Sequence, residues 1–77
     1  MYNVILPELG DGIENATIAC FHVNQGDRIQ RQDDLLEVVT DKASFNVSAE
    51  VDGRIKEIKC QVGQVLPIGA TLMIIED

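Results

Sequence analysis

Aromatic side chains are scarce in this 77-residue sequence, which contains one Tyr, two Phe and no Trp. Its hydrophobic fraction of 45% must therefore come mostly from Val, Ile and Leu. Branched aliphatic residues are typical of short strands, and no helical period is sustained anywhere, so we expect a small all-β domain. A chain of this length hides only about 60% of the surface that it exposes when unfolded, which argues against a large active-site cleft.

Basic residues are also few. Six Lys and Arg stand against 13 Asp and Glu, which gives a net charge of −7. This charge repels phosphate backbones, so nucleic acid is not expected as a partner, and any protein partner should present a basic surface. Apolar runs long enough to span a membrane are absent, as are the basic leader and apolar core of a targeting peptide, so we expect neither a membrane association nor a leader in this sequence.

Cysteine and histidine are too sparse to suggest a metal centre. Cys20 and Cys60 lie forty positions apart without a CxxC motif, and His22 is the only histidine. We predict no metal site and no redox pair, and we interpret both cysteines as free thiols in a reducing compartment. His22 is expected to face water. A stand-alone enzyme needs convergent nucleophiles, acids or metal ligands, so we predict no catalytic residue.

What the sequence does contain is a symmetrical strand-forming run, Leu35–Ala49, centred on Asp41-Lys42. Folding the run about this centre gives a hairpin with a two-residue tip and puts four large apolar side chains on one face. The predicted cross-strand pairs are Thr40 with Ala43, Val38 with Phe45, and Leu36 with Val47. Because the tip contains no glycine, we expect a type I turn rather than a primed turn.

Lys42 lies at this predicted tip, between Asp41 and the small residue Ala43. Two strongly β-forming arms would hold its amine accessible and rigidly placed, as a modifying enzyme requires. Alternatively, the lysine adds only charge and solubility to an ordinary hairpin, and this stretch alone does not decide between the two interpretations.

The two halves of the chain repeat at an offset of 37 residues. The matched positions are Ile18 and Ile55, Phe21 and Ile58, Val23 and Cys60, Gly26 and Gly63, Ile29 and Leu66, Leu35 and Leu72, Leu36 and Met73, and Val38 and Ile75. In both halves the alternation of inward-facing and outward-facing side chains shifts by one residue, after Ile18 in the first half and after Ile55 in the second. Such a shift predicts a β-bulge. Two halves that cannot bury their apolar faces alone should share one core, as in a sandwich or flattened barrel with two-fold symmetry.

Turn residues separate the predicted strands. The predicted strands are Tyr2–Leu6, Ala16–Val23, Arg28–Gln30, the two arms of the hairpin, Arg54–Cys60, Val65–Leu66 and Thr71–Glu76. The repeat matches Lys42 to positions just outside the two termini. Lys42 should therefore lie at the end opposite the termini, with the Glu8–Asn15 loop beside it.

Taken together, these features resemble the lipoyl domain of the dihydrolipoyl acyltransferase (E2) component of 2-oxo acid dehydrogenase complexes, over essentially all of residues 1–77. The matching residues are Leu6-Pro7-Glu8-Leu9-Gly10, Gly26-Asp27, Glu37-Val38-Val39-Thr40-Asp41-Lys42-Ala43, Gly53, Ile55, Gly63 and Gly69. The resemblance implies a flattened β-barrel or sandwich of two four-stranded antiparallel sheets with quasi-two-fold symmetry. It also implies that residues 1–77 form one non-catalytic domain of a longer, multidomain acyltransferase.

In such a domain Lys42 would carry lipoic acid as N6-lipoyllysine, with Asp41 and Ala43 recognised by a lipoate ligase or lipoyl transferase. A thiamin-diphosphate decarboxylase (E1) would reductively acylate the arm, the E2 catalytic domain would transfer the acyl group to coenzyme A, and a flavoprotein (E3) would reoxidise the dithiol. Candidates for E1 recognition are Glu8, Leu9, Asp11, Ile13 and Glu14, each of which also fits a plain solvated loop. The domain itself is expected to be monomeric, and to lie in the cytoplasm of a bacterium, the favoured location, or in the mitochondrial matrix of a eukaryote.

Two alternatives share the fold. A biotin carrier also modifies a tip lysine, but biotinyl domains typically flank it with methionines, whereas Asp41 and Ala43 do so here. An unmodified interaction module is the other alternative. Phe45, Asn46 and Ser48 depart from residues common in lipoyl domains, which leaves open whether the complex acts on pyruvate, 2-oxoglutarate, a branched-chain acid or acetoin.

Overall fold

The computed structural model describes residues 1–77, which form eight strands in two four-stranded sheets. The strands are β1 (Tyr2–Ile5), β2 (Asn15–Phe21), β3 (Arg28–Ile29), β4 (Asp34–Val39), β5 (Ser44–Ser48), β6 (Gly53–Ile58), β7 (Val65–Pro67) and β8 (Thr71–Glu76). One sheet has the order β1-β8-β6-β3 and the other β5-β4-β2-β7, with every pairing antiparallel. No helix capable of spanning a membrane is present. The prediction of an all-β domain with two four-stranded antiparallel sheets is confirmed.

The sheets stay separate, since β1 and β3 are the edges of one sheet and β5 and β7 the edges of the other. No strand pairing joins an edge of one sheet to an edge of the other, so the barrel is not closed. Of the two architectures predicted, the sandwich describes the structure.

The 37-residue repeat is also a repeat of hydrogen-bonding register. In the β2–β4 pair, Ile18 lies opposite Val38, and at the matched position of the β6–β8 pair Ile55 lies opposite Ile75. A bulge follows Ile18 in one pair and Ile55 in the other, as the parity changes predict. The two halves therefore form the same supersecondary unit twice.

The core lies between the sheets and contains no buried polar side chain. Its 15 buried residues are Val4, Leu6, Ala16, Ile18, Ile29, Leu35, Leu36, Val38, Val47, Ala49, Ile55, Cys60, Leu72, Met73 and Ile75. Cys60 and Met73 pack in this core, which agrees with their match to the apolar residues Val23 and Leu36 in the repeat. Because both halves contribute matched positions, neither half could bury its apolar face alone.

β1 and β3 end one residue earlier than the sequence predicts, at Ile5 and Ile29, and two other strands end earlier still. β2 stops at Phe21 and β6 at Ile58, two residues short of the predicted ends. Beyond these points the chain leaves each sheet for a turn, closed by a bond from the Asp27 amide to the Asn24 carbonyl (3.1 Å) and by its counterpart from Gln64 to Gln61 (3.1 Å). Beyond the last paired residue of each strand the sequence still contains apolar side chains, because these cover the end of the core.

Gln32 is the only residue other than glycine with a positive φ, 78°. Its counterpart in the second half is Gly69, with a φ of 92°. Each residue donates a backbone hydrogen bond to a distant segment, from the Gln32 amide to the Ala49 carbonyl (2.7 Å) and from the Gly69 amide to the Leu6 carbonyl (2.8 Å). An L side chain in the left-handed region costs about 1 kcal/mol, so Gln32 is strained where Gly69 is not.

We predict that Gln32→Gly stabilises the domain by up to about 1 kcal/mol, because the strain that it relieves exceeds the entropy that glycine adds to the unfolded chain. Urea unfolding followed by circular dichroism measures this difference. Gln25→Gly, in a turn position without a positive φ, is the matched control and should lose about 0.5 kcal/mol. A Gln32→Gly protein no more stable than Gln25→Gly would contradict the assignment of strain.

Candidate functional site

The hairpin of β4 and β5 has the predicted register. Leu36 lies opposite Val47 and Val38 opposite Phe45, while the Thr40 amide donates to the Ala43 carbonyl at 2.9 Å. Leu36, Val38 and Val47 are buried and Phe45 is half-buried against the core. The arms are therefore anchored by burial of one face, and Asp41 and Lys42 form the exposed tip.

The side chain of Thr40 closes this tip. Its Oγ1 accepts hydrogen bonds from the Lys42 amide at 3.1 Å and from the Ala43 amide at 3.2 Å. The hydroxyl thus takes the position that a main-chain carbonyl occupies as acceptor in a simple β-turn, a recognised use of threonine. Neither Asp41 nor Lys42 has a positive φ, which excludes primed and type II turns and is consistent with the predicted type I turn.

Lys42 projects from the tip with its amine unengaged. Neither of the two ion pairs in the structure involves it, since these join Met1 to Asp77 and Lys59 to Glu57. Asp41 and Ala43 on either side are exposed. An amine with no bonds to protein groups can be reached by another enzyme without breaking any contact of the fold.

The Glu8–Asn15 loop lies beside this amine, as the repeat predicts. A Cβ placed on Gly12 would lie 3.7 Å from Lys42 Nζ, and Gly12 has a φ of 79°. The positive φ therefore favours glycine at this position, while a Cβ would make only an ordinary van der Waals contact with the lysine amine. The loop is fixed on β7 by a bond from the Ile68 amide to the Glu14 carbonyl (3.0 Å).

The five loop residues predicted for partner recognition differ in exposure. Glu8, Asp11 and Glu14 are exposed, whereas Leu9 and Ile13 are half-buried. Leu9 packs against the core and so anchors the loop. The remaining residues line a shallow depression, and three of these lining residues are acidic.

The termini meet at a different place on the domain. The Met1 amine lies 3.2 Å from Asp77 Oδ1, and its hydrogen bond holds the pKa of the Asp77 carboxyl below the ordinary value. Nearby, the Tyr2 hydroxyl donates to Glu50, and this bond raises the pKa of Tyr2. The position 37 residues beyond Lys42 would fall just past Asp77, so the internal symmetry places the termini at one end and Lys42 at the other.

The sequence analysis missed a second group of side chains, which carries three possible metal-ligating atoms. Cys20 Sγ, a ring nitrogen of His22 and a carboxylate oxygen of Glu37 lie within 4.8 Å of one another. His22 is exposed, as predicted, and both cysteines are free, with Cys20 half-buried and Cys60 buried. Burial raises the pKa of the Cys60 thiol, which makes it less reactive. The Cys-x-His spacing was the available signal, but Glu37 joins it only through strand register.

A two-fold sandwich that projects a free lysine from a hairpin tip is the arrangement expected of a carrier domain. The chain belongs to the biotin/lipoyl attachment family, since its residues 3–75 match the family described as biotin-requiring enzyme.

Curated relatives at moderate identity are acyltransferase components of dehydrogenase complexes. The chain is 37% identical over 71 residues to the lipoamide acyltransferase component of the branched-chain alpha-keto acid dehydrogenase complex of Pseudomonas aeruginosa. It is 34% identical over 76 residues to the dihydrolipoyllysine-residue acetyltransferase component of the pyruvate dehydrogenase complex of Corynebacterium glutamicum. These matches cover 92% and 99% of the chain but only 17% and 11% of the relatives, so the chain spans less than a fifth of their length.

Solved structures with the same fold include a lipoyl domain. The lipoyl domain of the 2-oxoglutarate dehydrogenase complex from Azotobacter vinelandii has a TM-score of 0.80 and 27% identity, with 100% of this chain and 98% of that one covered. The urea carboxylase of Kluyveromyces lactis also has a TM-score of 0.80, at 16% identity over 95% of this chain and 6% of that one, which concerns the fold alone. The similarity to lipoyl domains of acyltransferase components supports a carrier function and a small non-catalytic domain.

We predict that Thr40→Val destabilises the domain by about 1 kcal/mol, because the Lys42 and Ala43 amides lose their acceptor while side-chain shape is kept. Urea unfolding measures the loss, and amide hydrogen exchange by NMR should show faster exchange at these two residues. Thr40→Ser keeps the hydroxyl and should restore protection. Unchanged exchange in Thr40→Val would contradict the role of Oγ1.

Proposed function

We propose that this chain carries lipoic acid in amide linkage to Lys42 and serves as the acyl carrier of a 2-oxo acid dehydrogenase complex. The observation that carries the proposal is the exposed Lys42 amine at a hairpin tip closed by Thr40, in a chain similar to lipoyl domains. When attached, the lipoyl group supplies a dithiolane that accepts an acyl group and electrons and later releases both.

Formation of the linkage suits the environment of the amine. When Nζ attacks the activated carboxyl of lipoic acid, the amide bond forms as the bond to the activating group breaks; the activating group leaves, a proton is released and Lys42 loses its positive charge. Because no carboxylate of the chain is paired with Nζ, this loss of charge leaves no unpaired partner behind. A solvated tip also has no packing that the longer side chain would disturb.

The other two lysines are less suitable acceptors. Lys56 lies inside β6, a strand that pairs with β8 and β3, and Lys59 follows β6 and forms an ion pair with Glu57 at 3.4 Å. Of the three, Lys42 alone lies in a turn between two paired strands. We propose that a ligase or transferase selects it by this presentation, reading Asp41 and Ala43 on either side.

The same geometry suits a domain that visits several enzymes. A flexible connection at the terminal end would leave the Lys42 end free, and tethering of this kind gives local concentrations on the order of millimolar. We propose E1, the E2 catalytic domain and E3 as the enzymes visited. The acidic loop next to the tip would be met by a basic surface around an active-site entrance.

We further propose that residues 1–77 are one domain of a longer acyltransferase, because the curated relatives are several times longer. The reducing compartment suggested by the free cysteines fits the cytoplasm of a bacterium or a mitochondrial matrix. The second candidate function is a biotinyl carrier, which the family description favours. Asp41 and Ala43 beside the lysine favour the lipoyl carrier.

We predict that Lys42→Arg abolishes modification without unfolding the domain, because arginine keeps the charge of the exposed tip but offers no primary amine. Intact-mass spectrometry after incubation with lipoate, ATP and a lipoate ligase measures the outcome. Lys56→Arg is the matched control and should still gain one lipoyl group. A lipoyl adduct on the Lys42→Arg protein would contradict the proposal.

Neutralising the loop with Asp11→Asn and Glu14→Gln together should lower kcat/KM for reductive acylation by an E1 by about tenfold at low salt, because charge complementarity raises association rates. The measurement is a steady-state assay with lipoylated domain as the varied substrate. Glu57→Gln with Glu76→Gln removes the same charge elsewhere and should leave kcat/KM unchanged. Equal losses in both double variants would show that net charge, and not this loop, determines the rate.

A further inference from the structure

The second group of side chains, Cys20, His22 and Glu37, is termed the Cys20 cluster. It lies on the outer face of the β5-β4-β2-β7 sheet, since its members are half-buried or exposed while Ile18 and Val38 on the same strands are buried in the core. The cluster shares no residue with the lysine tip or its loop.

Strand register explains why these residues meet. Cys20 on β2 lies directly opposite Glu37 on β4, and His22 is two residues beyond Cys20 along the chain. The bulge between Ile18 and Cys20 is required, because without it the period of two would turn Cys20 inward with Ile18. The bulge thus creates the outward Cys-x-His pattern next to a carboxylate.

A fourth side chain orients the imidazole. His22 Nε2 lies 3.0 Å from Asn46 Oδ1, and Asn46 is the cross-strand neighbour of Glu37 on β5. An amide oxygen can only accept, so Nε2 donates in this bond and Nδ1 is the ring nitrogen that the bond does not engage. A hydrogen bond donated by the ring nitrogen that does not bind the metal is the usual support of a metal-bound histidine.

We propose that the Cys20 cluster binds one divalent transition-metal ion of borderline softness, of which Zn²⁺ and Co²⁺ are representative. Thiolate, imidazole and carboxylate are all ligands of such ions, whereas Mg²⁺ and Ca²⁺ require oxygen ligands. Binding forms a metal–sulfur bond as the Cys20 thiol releases its proton to water. Exposure of His22 leaves a fourth position open to water, as in sites with three protein ligands.

The distances are compatible with this assignment. Metal–ligand bonds of about 2.0 to 2.3 Å in tetrahedral geometry separate the ligand atoms by about 3.5 Å. The cluster has all three atoms within 4.8 Å, so movements of about 1 Å close the site. These movements need only side-chain rotation, because no other hydrogen bond or ion pair holds Cys20 or Glu37.

The internal repeat supplies a built-in comparison. The positions matched to Cys20, His22 and Glu37 are Glu57, Lys59 and Ile74. That set contains an ammonium and an aliphatic side chain, and so offers no second site despite the same backbone and bulge. The cluster is therefore a property of these three side chains and not of the fold.

Titration of the reduced 77-residue chain with Co²⁺ tests the proposal. We expect one equivalent to bind with a thiolate-to-cobalt charge-transfer band in the near ultraviolet, and Zn²⁺ to displace it. Cys20→Ser should remove the band, and His22→Gln and Glu37→Gln should each weaken binding by at least about tenfold. Asn46→Ala should weaken it by about tenfold through the orientation of His22.

Cys60→Val and Glu57→Gln are the matched controls, one for the buried thiol and one for an exposed strand carboxylate, and both should bind as the unaltered chain does. Lys42→Arg should also bind, which separates this site from the proposed lipoyl attachment. Circular dichroism verifies that each variant is folded, and Cys20→Ala replaces Cys20→Ser if the serine variant is not. A band that persists without the Cys20 thiol, or affinities equal across the ligand variants, would overturn the proposal.

Discussion

The register between β4 and β5 is the constraint on which the rest of the site depends. Leu36 and Val38 are buried in this register, and a slip of one residue would turn both of them towards water. The same register brings Thr40 to the point where its hydroxyl can close the tip. Burial of one face of the hairpin thus determines where Lys42 projects, although the buried hairpin residues nearest in sequence, Val38 and Val47, lie several positions away.

The matched strands β4 and β8 end in different surroundings. At the end of β4 the chain turns through the lysine tip, whereas the matched end of β8 lies beside residue 1, where Asp77 pairs with the Met1 amine. The two ends of the domain therefore differ, one with the exposed lysine and the other with residues 1 and 77. The lipoyl carrier account requires this polarity, because a tethered domain must present its lysine away from the tether.

Features determined by alternation and spacing could be predicted from the sequence. The hairpin register, the two bulges and the loop beside Lys42 all follow from apolar periodicity and the 37-residue repeat, because burial enforces these patterns along the whole chain. The same information located Cys60 and Met73 in the core. Although these features join residues that are far apart in the chain, each follows from a periodic or repeated pattern of apolar residues.

Features determined by individual side-chain orientation could not be predicted. The two bonds of Thr40 Oγ1, the positive φ of Gln32 and the approach of Glu37 to Cys20 each depend on one rotamer, one dihedral or one cross-strand pair. No periodic pattern marks them. The sequence also left open the choice between a sandwich and a flattened barrel, which depends on whether the edges of the two sheets pair; they do not.

The most direct test of the central claim is peptide mapping by mass spectrometry of the unaltered chain, after incubation with lipoate, biotin and both ligases. The account predicts a single lipoyl group on the peptide that contains Lys42, and it would be contradicted by biotin at Lys42 or by lipoyl groups at Lys56 or Lys59.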